Sequence, residues 1–294
     1  MKNALSRLAR QWRGETRSKP ACPAPREAGS VAPADPVSAL IERVEASPHG
    51  RETLDARFLT IDDRVAFLYL EKVACTYIKN ILVQEAFGSL EGFDPSYYLE
   101  LWGKNNLIHT LAFEGLRTNG RDVLRSDRAT ITFCRNPYGR FLSAYFDKIV
   151  NPPEIEKPGF QWVRREILFK QVRQRNKAGV QAMAGGIRLE DFARFVAEQD
   201  EGARDKHWAH QHSLNLAHVH TANETIRIET LDETFPGLWE RYMGRPLPRV
   251  AKPERNVSRK HHGLDKSIAD IIYKTYERDF DLFGYARSSW QDFA

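Results

Sequence analysis

Cysteine is scarce in this sequence. Cys22, Cys75 and Cys134 are an odd number in 294 residues, and their spacing is not that of metal ligands. This argues against a disulfide framework and against a cysteine-based zinc site, and it suits a reducing compartment. Histidines do cluster, but irregularly and without accompanying cysteines or paired carboxylates, so we expect no metal. The clustered residues are His207, His210, His212, His218 and His220.

Long apolar segments are also missing. No run approaches the roughly 18 consecutive apolar residues that a membrane-spanning helix requires, and the basic N-terminus lacks the apolar core of a secretory signal. We therefore expect a cytoplasmic protein. Residues 1–14 place Leu5, Leu8 and Trp12 on one face of a basic helical pattern. That pattern suits either a frayed basic tail or peripheral contact with an anionic membrane.

The rest of the composition is that of a globular protein. Hydrophobic residues make up 41% of the chain and aromatic residues 11%, and the net charge is +5. That charge indicates an anionic ligand without choosing among nucleic acid, acidic glycan, nucleotide and membrane surface. Residues 1–36 are basic and rich in proline and alanine, which predicts a disordered tail. Residues 37–294 are expected to form a single domain.

A strand, a turn and a helix are predicted between residues 65 and 79. The run 65–70 is apolar, β-branched and aromatic, and apolar residues then recur at helical spacing over 75–82. The turn carries Lys72, and Thr76 stands at the start of the helix. An ammonium, a hydroxyl, free backbone N–H groups and the helix dipole can converge there on one phosphate. The alternative is an ordinary buried strand followed by a helix with a surface lysine.

A second strand-turn-helix unit follows at residues 130–145. Asn136 is a predicted N-cap, and Pro137 takes the first helical position. Arg135 and Ser143 could then meet on one phosphate. The residues expected to face the sheet are Tyr138, Phe141, Leu142 and Tyr145, and those expected on the opposite helix face are Arg140, Ser143 and Asp147.

Strands alternating with helices predict a three-layer α/β/α fold with a central parallel sheet. Ligands of such folds gather at the C-terminal ends of the strands, where both turns lie. Further helices are expected near residues 37–44, 160–177, 189–196 and 268–276, and a third strand at 225–228. The helix at 160–177 is very basic and forms either a solvated surface or the rim of a site for an anionic acceptor.

Four segments in this order resemble the carbohydrate sulfotransferases, in particular the Golgi chondroitin, dermatan and HNK-type enzymes and their bacterial relatives. KVACT at 72–76 resembles the family's loop for the 5′-phosphosulfate of 3′-phosphoadenosine 5′-phosphosulfate (PAPS), and RNPYGRFLSAY at 135–145 resembles its 3′-phosphate motif. DKHWAHQ at 205–211 with IETL at 228–231 resembles the central block, and NVS at 256–258 with residues 276–285 resembles the closing block. The resemblance implies a PAPS-dependent carbohydrate sulfotransferase with a P-loop NTPase-like sulfotransferase fold.

The resemblance also implies which groups bind PAPS. Lys72 is expected at the bridging oxygen of the leaving phosphate, Thr76 at the 5′-phosphate, and Arg135 with Ser143 at the 3′-phosphate. No metal is required, because Lys72 can carry the charge that magnesium carries in kinases. The whole expected PAPS-binding set is Lys72, Val73, Ala74, Cys75, Thr76, Tyr77, Arg135, Ser143, Ser258, Arg259 and Lys260.

Two histidines are candidates for the base that takes the acceptor's proton. His109 lies between the two PAPS motifs, in the region where the related uronyl sulfotransferases keep their catalytic histidine, and is the first choice. His207 belongs to the central block and is the second, although its neighbour Trp208 suits a packed structural role equally well. Lys72, His109 and His207 are thus the expected catalytic residues.

Three positions depart from the family pattern. The family has proline where this chain has Glu71, aspartate where Asn136 stands, and proline where His210 stands. Glu71 raises the sharpest question, because a carboxylate beside a polyanion is repulsive unless it is paired or points away.

Two other functions stay open. A P-loop kinase would need a glycine-rich loop of the form G-x-x-x-x-G-K-[ST], and the turn at 71–74 contains no glycine. A non-catalytic binder of acidic glycans would use the basic charge, but it gains nothing from having Lys72, Thr76, Arg135 and Ser143 together. The expected partner is a carbohydrate acceptor, on a polysaccharide or glycolipid, rather than nucleic acid.

Overall fold

The structure, a computed structural model, describes residues 35–88, 107–150, 158–250 and 263–294. The strands in these ranges are β1 (Phe58–Thr60), β2 (Val65–Leu68), β3 (Arg117–Thr118), β4 (Ala129–Cys134) and β5 (Glu224–Arg227). They form one sheet in the order β3-β1-β2-β4-β5. β2, β4 and β5 are parallel, and β1 is antiparallel to both its neighbours. The predicted α/β fold is confirmed, with the parallel strands confined to one half of the sheet.

The antiparallel half follows from short connections and short strands. Only residues 61–64 separate β1 from β2, and so short a link permits a hairpin but no crossover to a parallel strand. β1 has 3 residues and β3 has 2. Strands of that length show no periodic pattern, which is why the sequence does not predict them.

The described helices begin and end as follows: α1 (Pro36–Ala46), α2 (Gly50–Ala56), α3 (Cys75–Phe87), α4 (Leu107–Gly115), α5 (Gly120–Arg125), α6 (Pro137–Tyr145), α7 (Pro158–Arg173), α8 (Lys177–Ala182), α9 (Leu189–Ala197), α10 (Gln211–Leu214), α11 (Leu231–Met243) and α12 (Lys266–Phe283). A π-helical turn, Phe146–Val150, continues α6. Within the described ranges, no helix combines the length and the apolar character needed to cross a lipid bilayer.

The helices predicted from periodicity are α1, α3, α6, α7, α9 and α12, and all six are present. The basic helix predicted at 160–177 ends earlier, at Arg173. Arg175 has a φ of 52°, in the left-handed region, and the Asn176 side chain then caps α8 by accepting from the backbone N–H of Gly179. A left-handed residue ends a helix, so the basic segment is two helices rather than one.

Side chains of β2 point alternately to the two faces of the sheet, and helices pack against both faces. Val65 and Phe67 pack into one apolar cluster with α3 and α11, where the Phe67 ring stacks 5.9 Å from Trp239. Ala66 and Leu68 pack into another cluster with α1 and α2. The three-layer arrangement predicted from the sequence is therefore confirmed. A further apolar cluster joins α6, α9 and α12.

The register of the parallel strands places two loops at the same sheet edge. Leu68 at the end of β2 pairs with Thr132, and Cys134 at the end of β4 pairs with Arg227. The segments that follow β2 and β4 therefore leave the sheet side by side, and they are the two turns in which the sequence predicts anion binding.

Candidate functional site

The loop from β2 to α3 has a constrained backbone. Lys72 and Ala74 both have positive φ, 64° and 50°, although neither is glycine. Left-handed conformations cost energy for residues with a Cβ, and they persist where the surrounding structure enforces them. Ala74 is the N-cap of α3 and provides no side-chain hydrogen bond to its first turn. The N-terminus of α3 thus offers backbone donors to an anion.

Not every side chain of this loop is available to a ligand at the N-terminus of α3. Val73 is 1% exposed and packs into the core, so only its backbone is available to a ligand. Cys75, at the first position of α3, is half-buried and is a free thiol. Tyr77 is likewise half-buried and also packs against the core.

Lys72 forms an ion pair with Asp147, which lies on the π-helical turn after α6. Nζ of Lys148 is 3.0 Å from the same carboxylate oxygen, so one carboxylate is shared by two ammonium groups. Burial lowers the pKa of Lys72, against the opposing effect of Asp147. The loop therefore holds a largely buried cation beside a second one.

Glu71, the departure that raised a question of repulsion, is paired. Its carboxylate forms an ion pair with Arg57, which is 1% exposed, and lies 3.8 Å from the ammonium of Lys206. Arg57 is also 2.9 Å from Glu52. Burial alone would raise the pKa of Glu71, but Arg57 outweighs it and holds the pKa below its ordinary value. The negative charge beside the loop is therefore neutralised within the fold.

Arg135 joins the two loops. Its Nη1 donates to the backbone oxygen of Lys72 at 3.1 Å, and the side chain of Gln211 holds its backbone by accepting from its N–H at 2.9 Å and donating to its oxygen at 2.8 Å. Burial lowers the pKa of Arg135, but a guanidinium stays charged. Asn136 caps α6 as predicted, by accepting from the N–H of Tyr138, and Pro137 follows.

Arg140, which the sequence places on the face of α6 opposite the apolar stripe, is buried there. It is 2% exposed and donates to the backbone oxygens of Glu71 at 3.1 Å, Lys206 at 2.9 Å and Ala209 at 2.6 Å. A buried guanidinium needs several acceptors, and three backbone oxygens provide them. Ser143 is half-buried on the same helix, and no hydrogen bond joins it to Arg135 in the ranges that the structure describes.

His109 meets the loop from α4. Its Nε2 lies 3.3 Å from the hydroxyl of Thr76, and its Nδ1 lies 3.2 Å from the ammonium of Lys79. Its ring stacks on Phe113 at 6.1 Å. The structure therefore brings together Thr76 and His109, which are both predicted site residues, and it adds a lysine that the sequence interpretation missed.

Lys79 stands among apolar residues of α3 and is 2% exposed. Its ammonium lies 3.6 Å from the ring centre of Tyr69 and 4.2 Å from that of Phe113. Burial lowers the pKa of Lys79 to about 8. The sequence did carry one signal, a lysine on the buried side of an apolar stripe, one helical turn after Thr76.

His207 is oriented by a carboxylate. Its Nδ1 lies 2.5 Å from Asp205, and because a carboxylate only accepts, the ring donates from Nδ1. Burial lowers the pKa of His207, against the opposing effect of Asp205. The Phe160 ring lies 5.4 Å from the His207 ring and 5.3 Å from Nζ of Lys148, so His207 lies near the cations around Lys72.

Glu201 comes together with two histidines, His210 and His212. A Glu201 oxygen lies 3.1 Å from Nδ1 of His210 and 3.7 Å from Nε2 of His212, a set that could hold a metal ion. Nη1 of Arg204, however, lies 2.6 Å from the other ring nitrogen of His210. The adjacent imidazole of His210 lowers the pKa of Glu201 to about 2. The guanidinium of Arg204 beside His210 disfavours the binding of a metal cation there. The expectation that the chain binds no metal stays a prediction.

Ser258, Arg259 and Lys260 lie outside the described residues, so their predicted place at the nucleotide stays a prediction.

Comparisons with known proteins agree with the predicted resemblance. A model of the sulfotransferase family matches residues 57–286. Carbohydrate sulfotransferase 10 of Xenopus laevis is 27% identical over 251 residues, which cover 79% of this chain and 68% of the relative. The protein of the same name from Homo sapiens is 24% identical over 266 residues, 84% and 71% of the two chains, and that from Mus musculus is 25% identical over 253 residues, 80% and 68%. No solved structure shows significant similarity to the chain. Because the family model covers most of its length, the chain belongs to the sulfotransferase family.

Proposed function

We propose that this chain transfers a sulfuryl group from PAPS to a hydroxyl of a carbohydrate, on a polysaccharide or a glycolipid. Family membership supports a transferase, and the name of the relatives supports a carbohydrate acceptor. A cytoplasmic location remains the expectation that goes with this proposal.

The meeting of the two loops is the observation that carries the proposal. Arg135, from the predicted 3′-phosphate motif, hydrogen-bonds to the backbone of Lys72, from the predicted 5′-phosphosulfate loop. Adenosine 3′,5′-bisphosphate, the product PAP, carries two phosphates that must be held by separate cationic groups at one time. Two adjoining basic loops, one at the N-terminus of α3 and one at that of α6, suit such a ligand better than a single phosphate.

Lys72 is proposed to act on the leaving phosphate. During transfer, a bond forms between the acceptor oxygen and sulfur, the bond from sulfur to the bridging oxygen breaks, and negative charge grows on the departing 5′-phosphate. An ammonium held beside that oxygen stabilises the charge without a metal. Asp147 keeps Lys72 in place through their ion pair, and a polyanionic donor would compete with that carboxylate for Lys72 and Lys148.

The acceptor's proton passes to a base, for which His109 and His207 are the candidates. His109 contacts Thr76 and Lys79 through its two ring nitrogens. His207 donates from Nδ1 to Asp205, as the histidine of a serine-protease triad does to its aspartate. That orientation leaves Nε2 of a neutral His207 as the acceptor of a proton.

A thermal-shift titration separates this proposal from its two rivals. PAP should raise the melting temperature while ATP does not, because a ligand stabilises only the fold that binds it. Stabilisation by ATP alone would favour the kinase, and no response to either nucleotide would favour a binder of acidic glycans. Transfer of label from PAPS to polysaccharide and small-alcohol acceptors then tests the reaction itself.

A further inference from the structure

Lys79 is a buried cation for which the proposed reaction has no use so far. Burying an ammonium is costly unless partners replace water around it. Here the faces of Tyr69 and Phe113 flank Nζ at 3.6 Å and 4.2 Å, and Nδ1 of His109 lies 3.2 Å away. Aromatic faces attract cations, so this environment suits a charged lysine that points at one imidazole nitrogen.

The chemistry of an ammonium fixes the direction of that hydrogen bond. It has three donors and no acceptor. Burial lowers the pKa of Lys79 to about 8, which still leaves the charged form in excess at neutral pH. Nζ therefore donates, Nδ1 of His109 accepts, and the neutral ring carries its hydrogen on Nε2.

Nε2 of His109 faces the hydroxyl of Thr76 at 3.3 Å. If Nε2 donates, the hydroxyl oxygen accepts, and the hydroxyl hydrogen is directed to another acceptor. Thr76 lies in the first turn of α3, which no N-cap side chain of the described chain covers. Three donors then follow one another in one direction, from Lys79 through His109 to Thr76, and each strengthens the next.

We propose that Lys79 is a positioning residue that acts through His109 to direct the Thr76 hydroxyl at the 5′-phosphate of the donor. This deepens the function proposed above and rests on it. It also assigns the two histidines. His109 acts as a hydrogen-bond donor, and His207, whose Nδ1 is held by Asp205, takes the acceptor's proton.

The tautomer of His109 tests the first step directly. The full chain, labelled with nitrogen-15 in histidine, should show His109 with a hydrogen on Nε2 and none on Nδ1 at neutral pH; His109→Gln identifies its signals. A hydrogen on Nδ1, or on both nitrogens, overturns the proposal. This measurement needs neither PAPS nor turnover, so it is independent of the proposed function.

Affinity for PAP tests the second step. Lys79→Met should weaken PAP binding about tenfold, which is the loss of one charge-assisted hydrogen bond. Lys79→Arg, which keeps charge and donors, should recover most of it. Lys274→Met removes an exposed lysine of α12 and should have no effect.

A double-variant cycle separates the relay from general damage. Thr76→Val should weaken PAP binding to a similar extent, and adding Lys79→Met to it should cost little more, because both changes break the same chain. Additive losses overturn the proposal. If Lys79→Met does not fold, the cycle of His109→Gln with Thr76→Val makes the same test. Failure of the wild-type chain to bind PAP would instead overturn the proposed function and leave the tautomer result standing.

Discussion

Lys72 is the residue whose chemistry the proposed transfer needs most. Lys72→Ala should lower turnover roughly 100- to 1,000-fold, as the loss of a group that stabilises transition-state charge commonly does. Turnover is measured by transfer of label from PAPS. The melting temperature should change little, because the lost ion pair involves Asp147, whose side chain is 45% exposed.

Lys148→Ala is the matched control, since it removes the other ammonium on Asp147 and leaves the loop intact. We expect it to weaken donor binding severalfold with a much smaller fall in turnover. Equal losses in the two variants, or near-normal turnover of Lys72→Ala, would contradict the role given to Lys72.

Asp279 shows how one buried carboxylate fixes the backbone at the start of α10. It is 0% exposed and accepts from the backbone N–H groups of Gln211 and His212 and from the His212 ring, at 2.7 to 2.9 Å. Burial alone would raise the pKa of Asp279, but the hydrogen bond and charge of His212 hold it below its ordinary value. Asp279→Asn should lower the free energy of unfolding at neutral pH by about 3 kcal/mol. The NH₂ group of the asparagine would face one of the buried N–H groups that now donate to the carboxylate, and neither would have an acceptor.

The sign of the pKa shift sets how this loss depends on pH. A carboxylate whose pKa is depressed by folding stabilises the fold above its unfolded value of 3.8, and the stabilisation fades as the pH falls below that value. Urea denaturation of the wild-type chain and of Asp279→Asn should therefore show a difference in the free energy of unfolding that becomes smaller as the pH falls. Asp281→Asn, an exposed change on the same helix, should show no such difference. A difference that is constant with pH would mean that the charge of Asp279 contributes nothing.

At the scale of elements, the connection from β2 to α3 stores strain. Ala74 has φ 50° and ψ 22°, a conformation that glycine adopts without penalty. Ala74→Gly should therefore raise the free energy of unfolding by up to about 1 kcal/mol. Ala86→Gly, in the last turn of the same α3 where the backbone is right-handed helical, should lower it by a few tenths of that amount or more. Unfolding of the two variants in denaturant measures both changes in the free energy of unfolding. Two changes of the same sign would contradict a strained Ala74.

Elements with a local signal could be predicted from the sequence. Apolar periodicity predicts α3, α6 and α12, and the pairing of Asn136 with Pro137 predicts the start of α6. The break between α7 and α8 could not be predicted, because it depends on the backbone conformation of Arg175. Residues 174–176, between the two helices, include neither proline nor glycine, the residues that most often end a helix.

At the scale of the whole molecule, contacts between distant segments are what the sequence leaves open. The family resemblance predicts that Thr76, His109 and Arg135 share a site, but not that Lys79 bonds to His109 or that Arg140 binds the backbone of Glu71. Such pairs form because helices pack on a sheet, and side chains from separate elements meet only in three dimensions. The same holds for Arg57, which neutralises Glu71 from the end of α2.

The basic surface of α7 is a candidate for binding an anionic acceptor. Its first turns adjoin the site, because the Phe160 ring lies 5.4 Å from His207 and Arg164 donates to the backbone of Ile149 at 2.5 Å. Arg165 and Arg173 are exposed on this helix. An acidic polysaccharide that reaches His207 would pass these charges, and clustered positive charge raises the local concentration of an anionic substrate.

Arg165→Glu combined with Arg173→Glu should therefore raise KM for an acidic polysaccharide severalfold at low salt and leave KM for a neutral acceptor unchanged. The effect should vanish near 1 M salt, where screening acts over about 3 Å. Arg43→Glu combined with Arg125→Glu makes the same charge change on exposed arginines of α1 and α5 and should alter neither value. If that control shows the same loss, net charge alone attracts the acceptor. If the neutral acceptor suffers equally, the α7 variant has damaged the site instead.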